Sequence, residues 1–212
     1  MRWVCDFETS VEEQDCRVWL WGAKLIGDNK FAWDITIDSF IQWCKDHIGD
    51  KLYFHNAKFD IEFIFHYLLS NGWRHIIDDK QRANKTFSTL ISDQGIFYTC
   101  RIYFTKYDYV TIYDSFKILP FKVDKIAHDF GLDKSKLTID YDKYRPVGYT
   151  PSDDELHYLY NDCHIVACVL AQIFDLGLTA MTQGSDALKD FKNVIGGGNV
   201  FKRYFPDLAY RG

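Results

Sequence analysis

Residues 2–10, RWVCDFETS, decide how this chain is read. The run is dense in β-formers and then meets two acids, so it reads as a short strand over 2–7 with carboxylates at its end. Asp6 and Glu8 are two apart, and successive side chains of a strand point to opposite faces, so both carboxylates lie on one face of the sheet. Two like charges on a buried face repel and are costly unless something pairs them. Mg²⁺ or Mn²⁺ would remove that cost, because these hard cations seek carboxylate oxygens.

Outward from this strand, residues 17–26 and 31–35 read as a hairpin around the turn Gly27-Asp28-Asn29. Asp38 or Ser39 is expected to cap a helix bearing Phe40, Ile41, Trp43, Cys44 and Ile48, stopped by Gly49. Residues 51–55 read as a strand. A helix follows over 58–70, with Phe59, Phe63 and Tyr67 on one stripe, and Asn71-Gly72 ends it. Three more strands are expected at 85–91, 95–104 and 109–114, and a short helix over 120–130 closed by Gly131. Thr150 as cap and Pro151 at the first helical position would open a long helix running to about Phe174 and stopping at Gly177. A further helix starts at Gly184-Ser185-Asp186 and breaks at Gly196-Gly197-Gly198, leaving a mildly basic, aromatic tail. Strands with intervening helices predict an α/β fold, a mixed sheet flanked by helices.

Two more acids stand at telling places. Asp60 lies at a helix start just after a strand. Asp162 lies on the long helix four residues after Tyr158, so the two share a helical face. Each acid has an ordinary reading when taken singly: a solvated strand edge for Asp6 and Glu8, a helix cap for Asp60, a surface acid for Asp162. Their ordered conjunction outweighs these. Four carboxylates on separated segments suit two divalent ions that clamp the attacking water and the leaving oxygen of a phosphodiester.

The composition agrees with a folded enzyme. The chain has 212 residues, 47% apolar and 17% aromatic, which excludes disorder. Its formal net charge of −5 argues against a simple basic-patch binder of nucleic acid or anionic membrane. No signal peptide and no membrane-spanning run are legible, and the six cysteines lack C-x-x-C spacing. Six reduced thiols in a cytoplasmic protein are therefore expected.

The ordered motifs Asp6-Phe7-Glu8-Thr9, YFHNAKFD at 53–60 and Tyr158-Leu159-Tyr160-Asn161-Asp162 resemble the DnaQ-like, RNase H-like 3′→5′ exonucleases of the DEDD type, with tyrosine in the third motif. The stretches YDSFKILPFKVDKIAHDF (113–130), IDYDKYRPVGY (139–149) and MTQGSDALKDFK (181–192) narrow the likeness to one branch. They resemble the exonuclease domain of protein-primed family B DNA polymerases, which replicate linear phage and plasmid genomes from a terminal protein. The resemblance implies that Asp6, Glu8, Asp60 and Asp162 bind two Mg²⁺ or Mn²⁺ ions, that Tyr158 orients the attacking water, and that Lys136 assists at the scissile phosphate. It further implies single-stranded DNA contacts from Thr9, Asn56, Phe59, Ser115, Phe116 and Tyr141. Tyr53, His55 and Phe63 would touch the primer strand or the terminal protein.

One departure is Phe116, where the family usually has leucine after the serine, so an altered fit to the strand is expected. Another is the shortened segment between Phe205 and Tyr210. By the resemblance, residues 1–180 form the exonuclease domain, and 181–212 a helical extension leading into a linker toward a polymerase domain. No nucleotide-binding motif of a polymerase follows Gly212, so no polymerisation is expected of this chain alone. For phage-encoded protein the host cytoplasm is the expected location. Two rival readings are a binding module for single-stranded DNA or terminal protein with little nuclease activity, and an RNase H-like nuclease acting on RNA. A bland alternative for Phe59 is a core residue on the helix stripe.

Overall fold

The computed structural model describes residues 1–12, 14–132 and 139–206. Eight strands form one mixed sheet: β1 (Arg2–Glu12), β2 (Asp15–Leu25), β3 (Phe31–Asp34), β4 (Lys51–Phe54), β5 (Arg74–His75), β6 (Thr86–Ile91), β7 (Phe97–Tyr103) and β8 (Tyr109–Asp114). Their spatial order is β3-β2-β1-β4-β8-β7-β6-β5. The chain leaves β1 for the β2–β3 meander, then returns through α1 (Ile37–Asp46) to lay β4 parallel to β1. β8 lies parallel to β4 on its other side. The remaining described helices are α2 (Asp60–Ser70), α3 (Val123–Asp129), α4 (Asp153–Asp175), α5 (Gln183–Val194) and α6 (Gly198–Tyr204).

The sheet separates two cores. On one face Trp3, Cys5 and Phe7 of β1 pack with Phe40 and Cys44 of α1 and Ile61, Ile64 and Leu68 of α2. On the other face Val4, Leu20 and Tyr53 pack with Ile126 of α3 and Leu159, Cys163 and Val166 of α4. Four of the six cysteines are buried and none forms a disulfide, in keeping with the thiol reading.

Several local expectations shift. β1 does not stop at the acids but runs on to Glu12, with its register to β2 slipping between Glu8 and Thr9. Thr36, not Asp38 or Ser39, caps α1: its Oγ1 accepts from the Ser39 N–H at 3.1 Å. α4 is capped by Ser152 rather than Thr150. The Ser152 hydroxyl accepts from the Glu155 N–H at 3.3 Å, and the Glu155 carboxylate accepts from the Ser152 N–H at 2.9 Å. This reciprocal pair satisfies two N–H groups at once, so it prevails over a Thr-Pro start. The buried face of α2 is Asp60, Ile61, Ile64 and Leu68, while Phe63 and Tyr67 are only half-buried and Phe59 lies outside the helix. The two-residue β5 and the helix α6 were not expected; neither has enough chain to show a period.

Candidate active site

The acids come together because β1 has two opposed faces. Asp6 and Glu8 continue the Val4 face, which is covered by α4. α4 comes close because Gly22 of β2, paired with Asp6 across the ladder, has no side chain. A Cβ at Gly22 would lie 2.9 Å from Leu159 and from the Phe31 ring. The helix then presents Tyr158 and Asp162 across from the strand acids, around a cleft of about 350 Å³ that also takes in Thr9, His55 and Tyr141. Glu8, Asp60 and Asp162 are buried and Asp6 is half-buried.

Asp60 arrives by a different route. It opens α2, and its carboxylate accepts from its own N–H and from the Phe7 N–H. Burial nevertheless drives its pKa up to about 7, against these bonds and with the help of the Asp114 charge. Burial also raises Asp6 well above the carboxylate range, followed by repulsion from Asp60, Glu8 and Asp162 in that order. The other three acids are thus all felt at the Asp6 carboxyl. Tyr158 is pushed far above the usual phenol range by burial, by its bond to the Tyr141 hydroxyl at 2.8 Å, and by Asp162 and Glu8. It stays protonated at any physiological pH.

Asp6, Glu8 and Asp162 line one cleft, but the acids do not form a ready-made coordination shell. Among the described residues no group of three or more His, Cys, Asp or Glu side chains is drawn together tightly enough to hold an ion as it stands. The donor chemistry still fits a hard divalent cation: the four acids supply only oxygen, and the raised pKa values of Asp6 and Asp60 mark a place short of positive charge.

The other expected site residues differ in exposure. Thr9 and Tyr141 line the cleft, and Tyr141 is 68% exposed. Phe59 is 66% exposed beside the start of α2, so the bland core reading fails for it, and Asn56 is exposed next to it in a left-handed conformation (φ 63°). Phe63 and Phe116 are half-buried. Two residues sit where direct contact has no surface. Tyr53 is 4% exposed and stacks on Tyr113 at 5.2 Å, while Ser115 is fully buried with its hydroxyl donating to the Phe54 carbonyl. His55 bridges segments: Nε2 donates to the Phe121 carbonyl at 2.7 Å and Nδ1 lies 3.0 Å from the Ser115 hydroxyl. Burial lowers its pKa, which keeps the ring neutral. Lys136 lies outside the described residues.

Sequence reasoning missed Asp114. Its Oδ1 accepts from the N–H groups of Asn56 (3.1 Å), Ala57 (3.3 Å) and Phe116 (3.0 Å), and Lys117 pairs with its other oxygen at 3.2 Å. It shapes the turn that delivers Phe59 and Asp60. The signal was present: an aspartate ending a strand just before Ser-Phe-Lys is an N-cap pattern.

The sheet order, the α4 cover and the acid-lined cleft define an RNase H-like α/β fold of the exonuclease kind. The family model for organellar and viral type B DNA polymerases matches residues 46–150. The chain is 43% identical over 210 residues to the DNA polymerases of Bacillus phages PZA and phi29, and 28% identical over 220 residues to that of Streptococcus phage Cp-1. A solved structure of phi29 DNA polymerase complexed with single-stranded DNA superposes with a TM-score of 0.86 at 40% identity, covering 95% of this chain and 36% of that one. The chain is thus similar to a part of the phage type B DNA polymerases and spans 36% of the length of these relatives.

Proposed function

We propose that this chain is the 3′→5′ exonuclease of a protein-primed DNA polymerase, removing nucleotides from single-stranded 3′ ends as 5′-monophosphates and so proofreading for the polymerase. The observation that carries this reading is the meeting of Asp6 and Glu8 of β1 with Tyr158 and Asp162 of α4 across one cleft, with Asp60 felt from behind. Asp6, Glu8, Asp60 and Asp162 would hold two divalent ions, Mg²⁺ or Mn²⁺. When bound, such ions supply charge neutralisation and activation of water for in-line attack on a phosphodiester.

The chain's own residues do the rest. Tyr158, protonated and fixed by the Tyr141 hydroxyl, holds a water on the α4 side of the cleft by hydrogen bonding. Exposed Phe59 and Tyr141 offer aromatic faces to the terminal bases, a sequence-tolerant contact worth about 1–3 kcal/mol per base. Thr9 and Asn56 add polar contacts to the strand, and half-buried Phe116 and Phe63 border it. Lys136 would stabilise charge developing on the scissile phosphate. Tyr53 and Ser115 act through the residues they hold, and His55 through its bonds to Ser115 and Phe121. In the intact polymerase, residues 181–212 would lead from the exonuclease, residues 1–180, toward the polymerising part. Terminal protein is the further partner this reading implies, and the host cytoplasm its place of work. Among the described residues no helix is long and apolar enough to cross a membrane.

A 5′-labelled oligonucleotide incubated with Mg²⁺, or Mn²⁺, should ladder from its 3′ end. The double variant Asp6→Ala, Glu8→Ala should abolish laddering while single-strand binding persists in a gel shift. Full metal-dependent activity in that variant would sink the reading. A gel shift by the wild-type chain without laddering would instead favour a binding module, and degradation of RNA but not DNA an RNA nuclease.

A further inference from the structure

Arg145 is 5% exposed and does not line the cleft, yet its guanidinium bonds to the two segments that carry Tyr141 and Tyr158, which do. Nε donates to the Glu155 carboxylate at 2.9 Å, Nη1 to the Lys143 carbonyl at 2.9 Å and Nη2 to the Asp140 carbonyl at 2.7 Å. The two carbonyls flank Tyr141, so one planar group closes the turn that carries it. A further bond within the turn runs from the Asp142 N–H to the Asp140 carboxylate at 3.0 Å.

Glu155 is the other end of the clamp. It sits in the first turn of α4, three residues before Tyr158, and is itself fixed by the Ser152 N–H and by the Tyr149 hydroxyl at 2.7 Å. Beneath the pair, the guanidinium rests 4.3 Å from the centre of the Trp19 ring of β2, and Arg17 donates to the Arg145 carbonyl. The Tyr141 loop, the start of α4 and strand β2 are thereby fastened at one point. A bare loop tyrosine, 68% exposed, would sample many rotamers; here its hydroxyl lies 2.8 Å from that of Tyr158.

We infer that Arg145 is a positioning residue of the active site, setting Tyr141 against Tyr158 for the 3′-terminal nucleotide through its clamp on the 140 and 143 carbonyls and Glu155. The inference deepens the exonuclease reading and rests on it. Lysine cannot replace arginine here. One ammonium keeps the charge beside Glu155 but cannot serve two carbonyls and a carboxylate in a single plane.

The experiment is a double-mutant cycle with Arg145→Lys, Tyr141→Ala and the pair, read as kcat/KM on a labelled single strand well below the unfolding temperature. Arg145→Lys should lower kcat/KM on the order of 10-fold or more, the scale of a small misplacement of a site group. In the Tyr141→Ala background the same change should cost less than about twofold, because Arg145 acts through Tyr141. Glu155→Gln is the second variant, should the first fail to fold, and is expected to show the same non-additivity. A full rate in Arg145→Lys, or a loss repeated undiminished in the Tyr141→Ala background, would overturn the inference, since a purely structural arginine behaves that way. A second readout does not depend on catalysis. The ¹⁹F resonance of 3-fluorotyrosine at position 141 should move toward its random-coil position in Arg145→Lys. An unmoved resonance also overturns the positioning role. A wild-type chain without nuclease activity overturns the exonuclease reading, while the resonance still decides the clamp.

Discussion

Phe59 and Asp60 are neighbours with opposite fates. The carboxylate turns inward and accepts two backbone N–H groups, while the aromatic ring stays 66% exposed. On the proposed reading, this exposed ring is a face that meets a base of the single strand. Phe59→Ala should therefore weaken single-strand binding by about 1–3 kcal/mol, roughly 5- to 150-fold, as measured by fluorescence anisotropy. Its unfolding free energy should stay within about 0.5 kcal/mol of wild type, because little is buried there. A large loss of stability with unchanged binding would return Phe59 to the core. The sequence stripe Phe59-Phe63-Tyr67 suggested a packed helix face. The true buried face is one position over, because the turn held by Asp114 starts the helix at Asp60.

At the scale of elements, the pairing of β1 with α4 makes the site. Asp6 and Glu8 share a face by the period of a strand, and Tyr158 and Asp162 share one by the period of a helix, so each pair was legible alone. That the two faces confront each other depends on how closely α4 can lie on β2. Gly22 permits that approach, and a glycine inside a strand often marks such a close pass. Gly22→Ala places a methyl 2.9 Å from Leu159 and Phe31, so the helix must lift or its side chains must leave their rotamers. The expected cost is about 1–3 kcal/mol in chemical denaturation, with a fall in exonuclease rate although no cleft residue has changed. An unaltered rate with full stability would show that the spacing is not set at Gly22.

For the whole molecule, charge is distributed with opposite consequences at two places. Glu155 is buried, which works against its ionisation, but the Ser152 N–H, the Tyr149 hydroxyl and Arg145 together bring its pKa from 4.5 down to about 2. A depressed carboxylate contributes stability that is fully present above 4.5 and is lost as pH falls toward 2. The stability difference between wild type and Glu155→Gln should thus be greatest above pH ~4.5 and shrink toward pH ~2 in pH-resolved urea melts. A difference that stays flat across that window would remove the charge from the account. Asp60 has the opposite sign: with its pKa raised from 3.8 to about 7, it favours the folded state at low pH, and that advantage is lost as pH rises toward 7. Stability is therefore held at the Arg145–Glu155 clamp and given up at Asp60, and a carboxylate so perturbed is characteristic of a functional site.

The sequence by itself determined the strand and helix inventory apart from β5 and α6, the mixed sheet, the four ordered carboxylates with Tyr158, and the family likeness. These are local properties: a period of two, a period of 3.6 and short motifs can each be read within a few residues. Only the tertiary structure decided which faces meet. It placed Asp114 behind the 55–60 turn, buried Tyr53 and Ser115 while leaving Phe59 in water, and fastened the Tyr141 loop to α4 through Arg145. Those outcomes depend on partners 10 to 61 residues away along the chain. No pattern within one element specifies such a partner, because burial and hydrogen-bond satisfaction are settled only when the sheet and its covering helices close on each other.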